Sequence, residues 1–132
     1  MAMVIAVDPA ELSPDLSLSN VHHLRCKSEV AGTHINTLLD GEKADLLVAD
    51  MNQHPDTTLQ AMKPLLPFVK AGGLIIMTMK FYGLGRDSSA TEARIIEKFG
   101  SSIESSSAKT VWLMANTVNE QTFIAVLSHS LD

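Results

Sequence analysis

The chain has 132 residues, 45% hydrophobic and 19% charged, a size and balance that suit one folded domain and exclude a disordered chain. Ten Lys and Arg against fifteen Asp and Glu leave a net charge of −5, with Lys63, Lys70, Lys80, Arg86, Arg94 and Lys98 dispersed rather than clustered. This excludes a dense basic run of the kind that binds nucleic acid by charge alone, so action on nucleic acid would borrow affinity from another domain or partner. The longest apolar run, residues 73–79, has strand length and falls well short of the roughly 20 residues that span a membrane. The opening Met1-Ala2-Met3-Val4-Ile5-Ala6-Val7-Asp8 has no basic leader, which argues against a signal peptide. The single cysteine, Cys26, can form no internal disulfide, which suits a reducing compartment. The expectation is an intracellular protein, cytoplasmic or organellar, with no membrane partner.

Residues 3–7 are apolar and rich in β-branched side chains, and the run stops at Asp8-Pro9. Pro9, Ser13 and Pro14 make the next stretch a loop with about one helical turn. Residues 21–25 form a short candidate strand. Apolar positions Val30, Ala31, Ile35, Leu38 and Leu39 predict a helix over 28–39, stopped by Gly41. Residues 44–50 read as a strand buried on both faces.

Leu59, Met62, Leu65, Leu66 and Val69 give residues 55–70 a helical apolar face, which Pro64 should kink. Ala71-Gly72-Gly73 should close that helix as a C-terminal cap. Residues 74–80 read as a core strand. Ser89-Ala90-Thr91-Glu92 has capping-box spacing and should open a helix running to Gly100. Residues 111–115 and 123–127, separated by a loop holding Asn119, read as a closing antiparallel pair. Strands alternating with helices and ending in such a pair predict a mostly parallel α/β sheet with one antiparallel strand, in a single domain over residues 1–132.

Ligands of parallel α/β sheets bind at the carboxyl ends of the strands, which directs attention to Asp8, Asp50 and Lys80. A carboxylate at Asp8 can accept hydrogen bonds from vicinal ribose hydroxyls, or simply form an Asp-Pro turn. Asp50, in Asp50-Met51-Asn52-Gln53-His54-Pro55, can orient a substrate or a neighbouring cation, or cap the helix entered near Pro55. Lys80 leaves a core strand, where burial would lower its pKa and free a basic amine; a nearby carboxylate such as Asp50 would oppose that shift. Its simpler role is a lysine snorkelling at a strand end. Gly83-Leu84-Gly85-Arg86 reads as a turn. His22, His23, His34, His54 and His129 have no metal-ligand spacing, and the seven methionines are read as core filler.

Three stretches taken together, Val4-Ile5-Ala6-Val7-Asp8-Pro9, Asp45-Leu46-Leu47-Val48-Ala49-Asp50-Met51 and Gly72-Gly73-Leu74-Ile75-Ile76-Met77-Thr78-Met79-Lys80-Phe81, resemble the FtsJ-like family of S-adenosylmethionine-dependent RNA 2′-O-methyltransferases. The resemblance spans residues 3–115 and implies a Rossmann-like methyltransferase fold, S-adenosylmethionine as cofactor and RNA, ribosomal in the related enzymes, as substrate. It implies that Asp8 binds the cofactor ribose, that Asp50 also borders the cofactor, and that Asp50 and Lys80 are two members of a catalytic Lys-Asp-Lys-Glu set.

The departures are equally specific. The family's Gly-rich loop and first catalytic lysine belong upstream of Val4. Its catalytic glutamate would fall at about Lys109-Thr110, and the acid facing adenine at about Lys27, where neither residue is acidic. The chain should therefore bind cofactor weakly and turn over little. A non-catalytic α/β module for protein association or RNA scaffolding is the alternative, and another nucleotide-binding α/β domain a third. The family's first strand lies between those matching residues 3–7 and 44–49, so these two should pair directly or accept a strand from a second copy, giving a homodimer.

Overall fold

The computed structural model describes residues 1–81 and 88–129, which fall into two compact units, Met1–Glu42 and Lys43–Asp132. In the first unit, β1 (Val4–Val7) pairs in parallel with β2 (Val21–Leu24), Val4 opposite Val21 and Val7 opposite Leu24. A 3-10 turn at Pro14–Leu16 lies in the connection, with the Ser13 hydroxyl accepting from the Asp15 N–H. The helix expected over 28–39 is split. A 3-10 turn, Ser28–Val30, closes through the Ala31 N–H to Ser28 O, and α1 then runs over Gly32–Leu39. Its apolar side, with Ala31, Ile35 and Leu39, is buried. Asp40 and Gly41 follow with φ of +47° and +87°, and two left-handed residues in succession end the helix.

The second unit is a four-stranded sheet in the order β3-β4-β6-β5, built from β3 (Ala44–Ala49), β4 (Val69–Lys80), β5 (Lys109–Val111) and β6 (Glu120–Val126). β3 runs parallel to β4, while β6 runs antiparallel to both β4 and β5. The strand β6 alone opposes the others in this sheet, as the sequence predicts.

Helices α2 (Pro55–Met62) and α3 (Ser88–Phe99) supply Leu59, Met62, Ile95 and Phe99 to a core shared with Ile75, Met77, Met79, Phe123 and Ala125. The Phe99 and Phe123 rings stack at 5.8 Å between centroids, a favourable aromatic separation. Asp56 of α2 accepts from Arg94 and Lys98 of α3, at 3.3 and 3.0 Å. The lysine-to-phenylalanine stretch after Met62 changes to a 3-10 helix, Lys63–Phe68. Two prolines, Pro64 and Pro67, lack the N–H that a continuing α-helix requires.

Several local expectations are corrected. Ala71-Gly72-Gly73 is no helix cap: β4 already begins at Val69, and the register slips between Ala44–Val69 and Leu46–Leu74. Gly72, with φ +75°, takes the turn that this slip requires. Helix α3 includes Ser89 instead of being capped by it. β5 starts two residues earlier than expected and ends at Val111, and β6 starts three residues earlier, at Glu120.

β3 is not buried on both faces. Leu46 and Val48 are 45% and 56% exposed, on the same face as the half-exposed Leu74, because the helical core covers only the opposite face. Residues 3–7 and 44–49 do not pair either. They belong to separate sheets, and among the described residues β1 pairs only with β2 and β3 only with β4. Both strands are partly exposed, so water can satisfy backbone groups that a dry edge would leave unpaired.

A Cβ on Gly73 would stand 2.7 Å from Val69 Cγ1 and 2.9 Å from the Lys70 carbonyl oxygen. Gly73→Ala should therefore lower unfolding stability by about 1–3 kcal/mol through overpacking. Met77→Ala, at a fully buried site, should cost about 2–5 kcal/mol. Urea titration followed by circular dichroism checks both, and wild-type midpoints would refute this account of the core.

Candidate functional site

Side chains alternate along β4. Ile75, Met77 and Met79 are fully buried on the helical side, which places Leu74, Ile76, Thr78 and Lys80 on the other. Lys80 thus reaches the carboxyl end of β4 on the face opposite the core, with its side chain 14% exposed. Asp50 directly follows β3, and Glu120, opening β6, is the cross-strand partner of Lys80. The three side chains meet. Lys80 Nζ donates to Glu120 Oε1 at 2.7 Å and lies 3.2 Å from Asp50 Oδ1. Glu120 is 18% exposed and Asp50 68%, so one carboxylate braces the ammonium from within while the other faces solvent.

Glu120 also accepts the Thr117 N–H on Oε2, at 3.3 Å. Its hydrogen bond from Lys80 and this backbone bond hold its carboxyl below the usual value of 4.5. The hydrogen bond to Glu120 raises the Lys80 pKa above 10.5; burial opposes this, and Asp50 adds to the rise. Lys80 is therefore a bound cation at neutral pH, whereas burial by itself predicts a free amine. Two carboxylates outweigh the desolvation of one ammonium that keeps some contact with water.

Asp50 and Lys80 are in contact, as their neighbouring strand ends predict. Asp50 leaves the capping of α2 to His54, whose Nδ1 accepts from the Asp56 N–H at 3.2 Å. Glu120 is the residue that reading the sequence misses. No acid stands at Lys109-Thr110, in β5, but the next strand brings one to Lys80. The pairing of β6 with β4, which the sequence does not announce, is what brings it there.

Asp8, in the first unit, closes β1 and accepts the Ala10 N–H on Oδ1 at 2.8 Å, so it does form the turn expected of Asp-Pro. Its carbonyl lies 2.9 Å from His23 Nε2. Arg25 donates to the Pro9 carbonyl at 3.3 Å and pairs with Glu11 at 3.1 Å. Gly83-Leu84-Gly85-Arg86 lies outside the described residues. Among those described, no three His, Cys, Asp or Glu side chains converge as a metal site, and no helix is long and apolar enough to cross a membrane.

No protein-family model and no curated protein matches the sequence. Solved structures do. An rRNA methylase from Streptococcus thermophilus superposes with a TM-score of 0.62 at 14% identity, over 96% of this chain and 74% of that one. A proposed rRNA methylase from Clostridium thermocellum gives 0.59 at 15% identity, over 97% and 74%. A proposed methyltransferase from Streptococcus mutans in complex with S-adenosylhomocysteine gives 0.55 at 15%, over 95% and 71%. The fold is that of the Rossmann-like methyltransferases. In such α/β sheets the carboxyl edge of the parallel strands is the ligand side, and that is the edge at which Asp50 and Lys80 leave β3 and β4.

The charge cluster sets a pH dependence. The lowered Glu120 carboxyl stabilises the fold above pH 4.5, and that contribution is lost as pH falls through the folded value. The raised Lys80 ammonium stabilises below pH 10.5, and its contribution is lost as pH rises through the folded value. The stability difference between wild type and Glu120→Gln should therefore be constant near neutrality and shrink below pH 4.5. Urea unfolding across the acid range checks this, and a difference that persists unchanged to pH 2–3, about two units below the ordinary glutamate value, would exclude the ion pair as its source.

Proposed function

We propose that the chain is an S-adenosylmethionine-dependent RNA methyltransferase of the FtsJ-like type, acting on a ribose 2′-hydroxyl, with ribosomal RNA as the substrate class. The observation that carries this is the Asp50–Lys80–Glu120 cluster at the carboxyl edge of a methyltransferase sheet. The rRNA methylases of the same fold support the choice of RNA. Glu120 takes the place of the family glutamate sought near Lys109, so three members of the Lys-Asp-Lys-Glu set have counterparts here. Both units are read as parts of one methyltransferase domain, since each alignment covers nearly the whole chain.

The donor set fits the cofactor in part. Asp8 is exposed at a strand end and uses Oδ1 for the Ala10 N–H, leaving carboxylate lone pairs for ribose hydroxyls. S-adenosylmethionine, when bound, supplies an electrophilic methyl group. The chain's own residues handle the nucleophile. An ammonium has three donors; with two directed at Glu120 and Asp50, Lys80 has a third, unused among the described residues, for the oxygen of an incoming hydroxyl. That bond orients the hydroxyl for in-line attack, and positioning of this kind lowers the barrier substantially. Lys80 can take up the hydroxyl proton only after losing its own, which the two carboxylates oppose. Asp50, the more exposed carboxylate, keeps Lys80 aimed and is the acceptor to which the hydroxyl proton passes, and from there to solvent, as attack proceeds.

Calorimetry with S-adenosylmethionine tests this reading. The expected result is weak but saturable binding, reduced about tenfold by Asp8→Ala, which removes a charged acceptor. Lys80→Met should leave that affinity within about twofold while cutting methyl transfer to RNA by about a hundredfold or more. A chain that binds no cofactor under any condition would instead be the non-catalytic α/β module.

A further inference from the structure

The connection between β5 and β6, residues 112–119, is uncharged, and it exposes the apolar side chains of Trp112, Leu113, Met114 and Val118. Trp112 is the only tryptophan of the chain and is 65% exposed. A large aromatic is an expensive group to leave in water, since it carries more apolar area than any aliphatic side chain. Its ring is nonetheless held. The indole Nε1–H donates to the Thr117 carbonyl at 3.3 Å. The loop is braced further by the Leu113 N–H to Asn116 Oδ1 at 2.8 Å, and by Thr122 Oγ1 to the same oxygen at 3.1 Å.

The same loop is tied to the charge cluster. The Thr117 N–H donates to Glu120 Oε2, Lys80 donates to Glu120 Oε1, and the Phe81 N–H donates to the Asn119 carbonyl at 2.8 Å. Three hydrogen bonds in series thus lead from the indole through Thr117 and Glu120 to the Lys80 ammonium. A fixed aromatic plane beside a site that handles ribose is suited to a nucleobase. The charges of the sheet point the same way. Lys70 pairs with Asp45 and Lys80 with Asp50 and Glu120, while Arg94 and Lys98 of α3 share the one carboxylate of Asp56. With these cations engaged and a net charge of −5, attraction to phosphate is weakened, and stacking supplies a larger share of any affinity for a strand.

We propose that the 112–119 loop is a stacking platform for single-stranded RNA, with the face of Trp112 receiving a base of the substrate strand next to the ribose held at Lys80. Trp112 acts by positioning: it touches the base while Lys80 meets the hydroxyl. Single-stranded RNA is the class selected because its bases can be splayed onto an aromatic face, whereas a duplex keeps its bases stacked on one another. The proposal rests on the RNA-methyltransferase reading above.

The sole tryptophan makes intrinsic fluorescence a direct report on this ring. The full chain is titrated with an unlabelled single-stranded RNA of about eight nucleotides, with a duplex of the same sequence, and with neutral phosphatidylcholine vesicles. Saturable quenching by the single strand, with little response to duplex or vesicles, is expected. Anisotropy with the same RNA carrying a terminal dye should show Trp112→Ala weakened about tenfold and Trp112→Phe restored to within about threefold. The salt dependence of all three should be alike, since no charge is changed. Single-strand binding with equal affinity in wild type and Trp112→Ala would overturn the platform and leave the RNA reading standing. Absence of binding to any RNA would overturn both, and a tryptophan response to vesicles alone would assign the loop to an apolar surface instead.

Discussion

The two-residue period of strand β4 is the constraint on which the second unit depends. One set of positions, Ile75, Met77 and Met79, is sealed against α2, α3 and the antiparallel strand β6. The alternate set leads along the other face to Lys80. A slip of one residue would drive Lys80 toward Ile95 and Phe99 and turn the methionines outward. The antiparallel neighbour enforces the register over seven consecutive pairs, from Leu74–Val126 to Lys80–Glu120. The ladder that holds the core together therefore also delivers an acid to the ammonium.

This coupling bears on how the cluster works. A lysine standing alone at a core strand end would lose its proton more readily than in water, and chemistry requiring a base would follow directly. Between Glu120 and Asp50 the same lysine is a cation with directed donors. The sheet supplies orientation at once and basicity only when the surrounding charge changes. Glu120 is shared between the Lys80 ammonium and the Thr117 amide, so a movement of the loop is felt at the cluster.

Much of this was legible in the sequence, and the misses have physical causes. The strands at Val4, Ala44 and Leu74 announce themselves as continuous runs of apolar, β-branched-rich side chains, and their ends place Asp8, Asp50 and Lys80. Glu120 escaped because Glu120-Gln121-Thr122 is polar and lacks the pattern of a core strand, yet pairing with the end of β4 is enough to extend it. Gly72-Gly73 has the composition of a helix cap, and only the slip of β3 against β4 reveals that it serves a strand irregularity. The exposure of Leu46 and Val48 is a matter of which elements lie over β3, and a continuous apolar run carries no information about that.

Among the described residues β3 pairs with β4 alone, which has a consequence for handling the protein. A strand paired along one edge presents its remaining amides and carbonyls as a template for unintended pairing, and Leu46 and Val48 add adhesive apolar surface beside it. Asp45, within β3 and bonded to Lys70, is the one charged side chain of that strand. At neutral pH it sets a carboxylate on any second strand that approaches in register with it. Acid that protonates Asp45 removes this guard and releases Lys70, so crowding at low pH should favour edge-to-edge association through β3.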